Sequence, residues 1–160
     1  NKGSGYVINT PISLCIFSDE QKTKGKISNI KSVNALVSVL GAIYAKENGF
    51  DNAILKNTDG YLIETTNANL FIIKKGVVYT PPLTQGCLNG TMRKWVLEQV
   101  NVVEKSLKLL DLKEADEVFI TNATSGITAV DVVFIETDQI YKSDLAKQLQ
   151  EKLISLSLDY

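Results

Sequence analysis

Histidine is absent from the 160-residue chain. That excludes Ser-His-Asp and Cys-His catalysis, and every histidine-based metal site, within these residues. Arginine is nearly absent too. Arg93 is the single one among 17 basic residues, and 18 acidic residues bring the formal net charge to −1. A binder of phosphate backbones needs a basic excess on some face, so nucleic acid is not an expected partner. Cysteine is limited to Cys15 and Cys87. Two such distant thiols make neither a disulfide framework nor a zinc cluster, and a reducing, cytoplasmic compartment fits. No apolar run approaches the roughly 18–20 residues that a membrane-spanning helix needs, so no membrane is expected as a partner.

What is present suits a core. The chain is 44% hydrophobic and 22% charged, the profile of one soluble globular domain over residues 1–160. It opens on Asn1-Lys2-Gly3-Ser4-Gly5, without an initiator methionine and directly before a strand-like stretch. It therefore reads as a piece of something longer, holding its site only in part.

Residues 6–17 are β-rich, with Pro11 at an edge or break. Residues 18–30 are polar and read as a loop with a short strand near Lys26-Ile27. Val33, Leu36, Val37, Leu40, Ile43 and Tyr44 follow helical spacing over 32–48, and Asn48-Gly49 is a stop. Strands are expected at about 52–56, 61–66, 69–74 and 77–79. The first pair turns at Asn57-Thr58-Asp59-Gly60, and Lys74-Lys75-Gly76 closes the third strand onto the fourth. A glycine turn at Leu88-Asn89-Gly90 opens a helix over 91–100. Strand 102–108, a helical turn at 111–115, and strands 117–122 and 127–135 follow. The last helix, 142–157, carries Leu145, Leu149, Leu153 and Leu156 on one face. Without regular βαβ alternation, the expected fold is α+β, a mixed barrel-like domain flanked by helices.

Four places could carry chemistry. Lys31 stands where a loop gives way to an apolar helix; desolvation and a helix N-terminus both disfavour its ammonium, as a nucleophilic lysine requires. Sixteen lysines are present, most of them ordinary surface charges, so spacing alone does not single it out. Glu64 is an acid inside the apolar strand Tyr61–Thr66, on the face of Leu62 by alternation. Such an acid lies at an exposed rim or is buried with a cation. Asn89-Gly90-Thr91-Met92-Arg93 starts a helix whose N–H groups suit an anion, and Thr121-Asn122-Ala123-Thr124-Ser125-Gly126 is a second polar turn behind a hydrophobic strand. Most turns of this kind are only turns.

Taken together, Lys31-Ser32-Val33-Asn34, Asp59–Phe71, Tyr79-Thr80-Pro81-Pro82, Leu88–Arg93 and Ala115–Asn122 closely resemble, in order and spacing, the large domain of the class IV aminotransferase family. These are the fold-type IV pyridoxal-phosphate enzymes, which include branched-chain and D-amino-acid aminotransferases and aminodeoxychorismate lyase. The resemblance covers about residues 26–135. It implies pyridoxal 5′-phosphate as cofactor, a small-molecule amine as substrate, a homodimer, and a smaller N-terminal domain outside these residues. It also implies that the isolated piece has little or no turnover.

By that resemblance Lys31 bonds the cofactor aldehyde and moves the substrate proton. Glu64 binds the pyridine nitrogen and keeps it protonated, which makes the cofactor the cation of the buried alternative. Leu88, Gly90, Thr91 and Met92 hold the phosphate through backbone N–H groups. Ala123 and Thr124 form the second turn, facing the phosphate and the substrate carboxylate, and Asn67 contributes a backbone contact near the ring. Aminotransferases of the family usually place threonines where Met92 and Ala123 stand, with Thr91 and Thr124 one residue away here. Branched-chain enzymes tend to have a tyrosine where Ala35 stands. The Asn-Gly-x-Met-Arg and Thr-Asn-Ala patterns look more like the lyases that convert 4-amino-4-deoxychorismate to 4-aminobenzoate and pyruvate. A lyase is therefore the expected activity, with an amino-acid aminotransferase as the alternative and a non-catalytic domain as a third. The arginine that clamps the phosphate is expected in the other domain; Arg93 matches a helix residue with no assigned role.

Overall fold

The computed structural model describes residues 6–30 and 35–158. Alternating apolar stretches bounded by polar turns become nine strands among these residues: β1 (Ile12–Lys22), β2 (Asn52–Asn57), β3 (Leu62–Thr65), β4 (Asn69–Lys74), β5 (Val77–Thr80), β6 (Val102–Glu104), β7 (Glu117–Asn122), β8 (Gly126–Phe134) and β9 (Asp138–Ile140). Four helices accompany them: α1 (Leu36–Glu47), α2 (Thr91–Gln99), α3 (Leu109–Lys113) and α4 (Asp144–Leu158). The strands join in the order β3-β2-β1-β8-β7-β4, and a β3–β4 pairing closes these six into a barrel. Pairings of β1 with β2 and with β8 are parallel and the others in the ring antiparallel, giving the expected mixed barrel.

The closure is narrow and it positions the site. One edge of β4 faces β7 along its length, whereas the other pairs with β3 only at Glu64–Asn69 and then with β5 from Ile72 to Lys74. The sheet therefore forks beside Glu64, and β5 carries β6 away from the barrel as a parallel extension. Lys75 and Gly76 both take positive φ, 51° and 75°, which makes the β4–β5 connection a tight two-residue turn.

Inward residues such as Leu14, Ile54, Leu70, Ile72, Val118, Ile120 and Val130 fill the barrel, with Leu107 and Leu112 plugging it. Period-two alternation puts Phe71, Phe119, Ile127 and Ala129 outside, where Met92 and Val96 of α2 and Ala146, Leu149 and Leu153 of α4 cover them. The carboxylate of Glu117 accepts from the Leu145 and Ala146 N–H groups, capping the start of α4. No helix among the described residues is long and apolar enough to cross a membrane.

Several expectations need correction. β1 runs on through Lys22, because residues 18–21 rejoin β2 at Lys22–Asn57 after a register break. Residues 26–29 form a 3-10 turn and no strand. β6 ends at Glu104, β9 was not expected, and of the four leucines placed on one face of the last helix Leu156 is 42% exposed.

α1 packs closest through its small residues. Gly41 and Ala45 are buried, and Val37 and Tyr44 of the expected apolar face pack partly buried beside them, whereas Leu36, Leu40 and Ile43 are exposed. A Cβ at Gly41 would stand 2.9 Å from Leu55 Cδ2, so the helix axis approaches the sheet along its narrowest side.

Candidate active site

Glu64 is the buried acid of the site, 2% exposed. It does not share a face with Leu62. Leu55 pairs with Glu64, but the next residue of β2, Lys56, pairs with Leu62, so Ile63 is an extra residue on β3. This bulge breaks the alternation: Leu62 points into the barrel, and Glu64 joins the outer row of Leu55 and Asn69. There its Oε2 accepts from the Leu88 N–H at 2.7 Å, and its Oε1 pairs with the Lys22 ammonium. Burial raises the Glu64 carboxyl above its ordinary pKa; the Lys22 charge and the two hydrogen bonds oppose that shift without cancelling it.

The Leu88–Gly90 turn is thus tied directly to the acid. Asn69 fastens it again, its Nδ2 donating to the Leu88 carbonyl at 2.7 Å. Gly90 is the N-cap of α2, and no side chain caps this helix. A Cβ at Gly90 would lie 2.3 Å from Asn69 Oδ1, so this position requires glycine for space, although its φ of −66° suits any residue. Thr91 is exposed at the start of the helix. Met92 is 6% exposed and its side chain belongs to the core beneath α2, so it brings only its backbone to the helix end. Arg93 is buried as well, its guanidinium donating to the Pro81 carbonyl at 3.1 Å and pairing with Glu104.

Ala123 and Thr124 lie in the exposed β7–β8 turn. Asn122 Oδ1 accepts the Thr124 and Ser125 N–H groups at 3.0 and 2.7 Å, and the turn presents the side chains of both exposed residues outward. Tyr6 links the two turns: its hydroxyl donates to the Ala123 carbonyl at 3.0 Å and lies 3.7 Å from Met92 Sδ. Tyr6, Asn9, Thr124 and Ser157 line a cleft of about 550 Å³ on this side. Asn67 is exposed, and its Oδ1 accepts from Asn52 at 2.8 Å, so its side chain secures the β3–β4 turn.

Lys31 lies outside the described residues. The chain just before it does not. Asn29 Nδ2 donates to the Leu83 and Cys87 carbonyls at 2.8 and 2.7 Å. Residue 29 is therefore held against the same loop that carries Leu88. The structure brings together Glu64, the Leu88–Met92 turn and, through Tyr6, the Ala123–Thr124 turn.

Sequence reasoning missed Lys22, Asn69, Thr121 and Tyr6. Asn69 and Thr121 left traces, the first as a polar residue in phase with the outward Phe71 and the second as the opening residue of the second polar turn. Thr121 is 1% exposed and its Oγ1 has no hydrogen-bond partner; it pairs across the sheet with Asn69, which pairs with Glu64. An uncapped helix end, a buried acid and an unpartnered buried hydroxyl on one outer row fit a ligand with an anionic group and a basic ring nitrogen. No cluster of metal ligands occurs among the described residues.

Comparison with known proteins gives a consistent match. The family model described as amino-transferase class IV matches residues 4–133. A protein of Methanocaldococcus jannaschii provisionally named a branched-chain-amino-acid aminotransferase is 40% identical over 131 residues, 77% of this chain and 45% of that protein. Other curated relatives are named branched-chain or D-alanine aminotransferases. Among solved structures, the branched-chain aminotransferase of Thermoproteus uzoniensis superposes with a TM-score of 0.87 at 24% identity, over 98% of this chain and 54% of its own. A structure from Legionella pneumophila provisionally named a 4-amino-4-deoxychorismate lyase superposes with a TM-score of 0.79 at 30% identity, over 96% of this chain and 58% of its own. The chain spans under half the length of the curated relatives it matches.

Proposed function

We propose that this chain, which belongs to the class IV amino-transferase family, carries the cofactor-binding half of a pyridoxal-phosphate aminotransferase acting on a small amino acid. The observation that carries the reading is the Glu64–Leu88 hydrogen bond, which sets a buried carboxylate beside the uncapped start of α2. A buried carboxylate suits a ring nitrogen, and an uncapped helix start beside it suits a phosphate. When bound, the cofactor supplies an electron sink for the bond broken next to the amine. Glu64 receives the ring nitrogen. The backbone at Leu88, Gly90, Thr91 and Met92 binds the phosphate, with the helix dipole adding to the attraction. Ala123 and Thr124 border the phosphate and the substrate carboxylate, and the backbone at Asn67 lies near the ring. Lys31, two residues beyond the anchored Asn29, would hold the cofactor at its aldehyde and carry the substrate proton.

An aminotransferase is preferred to the lyase expected from the Asn-Gly-x-Met-Arg and Thr-Asn-Ala patterns. Two of the residues that suggested the lyase have other duties: Met92 is packed in the core and Arg93 is bonded to Pro81 and Glu104, so neither reports on substrate. The curated relatives' names point the same way. The phosphate arginine, substrate recognition and homodimer assembly belong to this proposal for the whole protein.

The test uses the full-length protein. Pyridoxal phosphate should give an absorption band at the violet edge of the visible range that is lost in Lys31→Ala. Amino transfer should depend on an added 2-keto acid such as 2-oxoglutarate. Stoichiometric pyruvate from an amine without added keto acid would return the reading to the lyase. Absence of the band in the wild type would overturn both.

A further inference from the structure

Lys22 has no role in the site described so far, yet it is placed with more care than any other lysine among the described residues. Six ion pairs occur among those residues. Lys22–Glu64 is the one in which both side chains are largely withdrawn from water, 16% and 3% exposed; every other pair has at least one partner 40% exposed or more. Exposed pairs contribute little, and a buried pair is commonly no more stabilising than apolar residues of the same size. Stability therefore gives no reason to bury this lysine.

Its backbone is fixed as firmly as its charge. β1 leaves its register with β2 after Phe17–Leu55 and regains it at Lys22–Asn57. The Lys22 carbonyl accepts from Thr58 N at 3.1 Å. Asn57, opposite it, is fully buried and bonds Gln85 and the Asp59 and Tyr61 N–H groups. The ammonium thus arrives at Glu64 Oε1 from a rigid strand end, while Leu88 N–H holds Oε2.

We propose that Lys22 is a positioning residue for Glu64: it holds the carboxylate charged and in place, so that the proton shared with a cofactor ring nitrogen resides on the nitrogen. The inference rests on the pyridoxal-phosphate reading above. Each carboxylate oxygen has one lone pair engaged and another open, so the ring N–H can bond Glu64 without displacing either partner. Among the described residues, the titratable groups around this carboxylate are Lys22 from β1 and the Cys87 thiol from the loop before α2. Burial raises that thiol's pKa to about 11, so it is uncharged at neutral pH. Asn69 from β4 and Leu55 from β2 bring no charge. Lys22 is then the charged group among the described residues that opposes protonation of Glu64, alongside the neutral Leu88 N–H.

The test is nitrogen-15 NMR of the full-length protein loaded with pyridoxal phosphate labelled at the ring nitrogen. In the wild type the ring nitrogen should be protonated at neutral pH. In Lys22→Met, and in the milder Lys22→Gln, loss of the cation makes Glu64 the stronger base of the pair, so at neutral pH the ring-nitrogen resonance should move toward its unprotonated position, about a tenfold shift of the shared proton from the nitrogen to Glu64. Lys22→Arg should restore the wild-type resonance. A merely structural role would move stability without moving this resonance. The inference is overturned if both neutral variants bind cofactor and keep the wild-type resonance, or if Lys22→Arg behaves like Lys22→Met. Wild-type protein that takes up no cofactor overturns the proposed function and this inference together, an outcome distinct from the first two.

Discussion

Replacing Gly90 by alanine should cost stability through one contact. The new Cβ would meet Asn69 Oδ1 at 2.3 Å, and must be separated beyond 3.0 Å before the pair is tolerable. The backbone does not object, since φ −66° and ψ 147° suit alanine. The strain therefore falls on the Asn69 amide, which is 5% exposed and donates to the Leu88 carbonyl at 2.7 Å. Losing that bond inside the protein costs about 1–3 kcal/mol. Alanine returns about 0.4–1 kcal/mol by restricting the unfolded chain. The net is a destabilisation of about 1–2 kcal/mol, or a Tm lower by about 3–6 °C for a chain of this size.

The assay is reversible thermal or urea unfolding of wild type, Gly90→Ala, Asn69→Ala and the double variant. Asn69→Ala should itself be destabilising, but adding Gly90→Ala to it should be neutral or slightly stabilising, giving a coupling of about 1–2 kcal/mol between the two positions. A neutral Gly90→Ala, or one whose cost persists undiminished in the Asn69→Ala background, would refute the assigned contact. Because Leu88 also donates to Glu64, the single variant should weaken cofactor binding along with stability.

Two further outcomes follow from the buried titratable groups. Glu64 has its carboxyl raised above 4.5 in the folded state, so the folded protein holds this proton to higher pH than the unfolded chain does. The stability linked to that proton is complete below the unfolded value and is lost as pH rises through the folded one. Thermal unfolding of the cofactor-free protein across this range should accordingly show Glu64→Gln gaining on wild type as pH rises, and parallel curves would contradict the burial effect. Cys15 and Cys87 are 2% and 1% exposed, and burial lifts both thiols to about 11. At pH 8 only about one thiol in a thousand is then ionised. Iodoacetamide should leave both unmodified in the native protein and alkylate both in denaturant; rapid native labelling of either would show that its pocket opens.

Much of the architecture was legible because local pattern and burial agree along most of the chain. The strand at 117–122, the helix behind Gly90, the tight turn at Lys75-Gly76 and the irregular bracketing of strands by helices follow from alternation, turn chemistry and helical spacing, and all are present. The exceptions share a cause. α1 buries Gly41 and Ala45 against the sheet, with Val37 and Tyr44 packed beside them and Leu36, Leu40 and Ile43 left outside, a choice that depends on how near the sheet lies and not on the helix itself. β1 continues through the polar residues 18–22 because β2 supplies a partner at Asn57, which composition cannot reveal.

The sequence by itself determined the chain's class and family: the strand-rich domain, the ordered motifs, and the acid at 64 ahead of a glycine-opened helix. Those are properties of residues near one another along the chain, where spacing carries the information. Tertiary structure alone decided which way Glu64 faces, since a single extra residue on β3 reverses the side that alternation assigns. It alone decided that Lys22 and Leu88, 42 and 24 positions away, share the carboxylate's two oxygens. Contacts across such distances are set by the register of strands and the closure of the barrel, which no local pattern encodes.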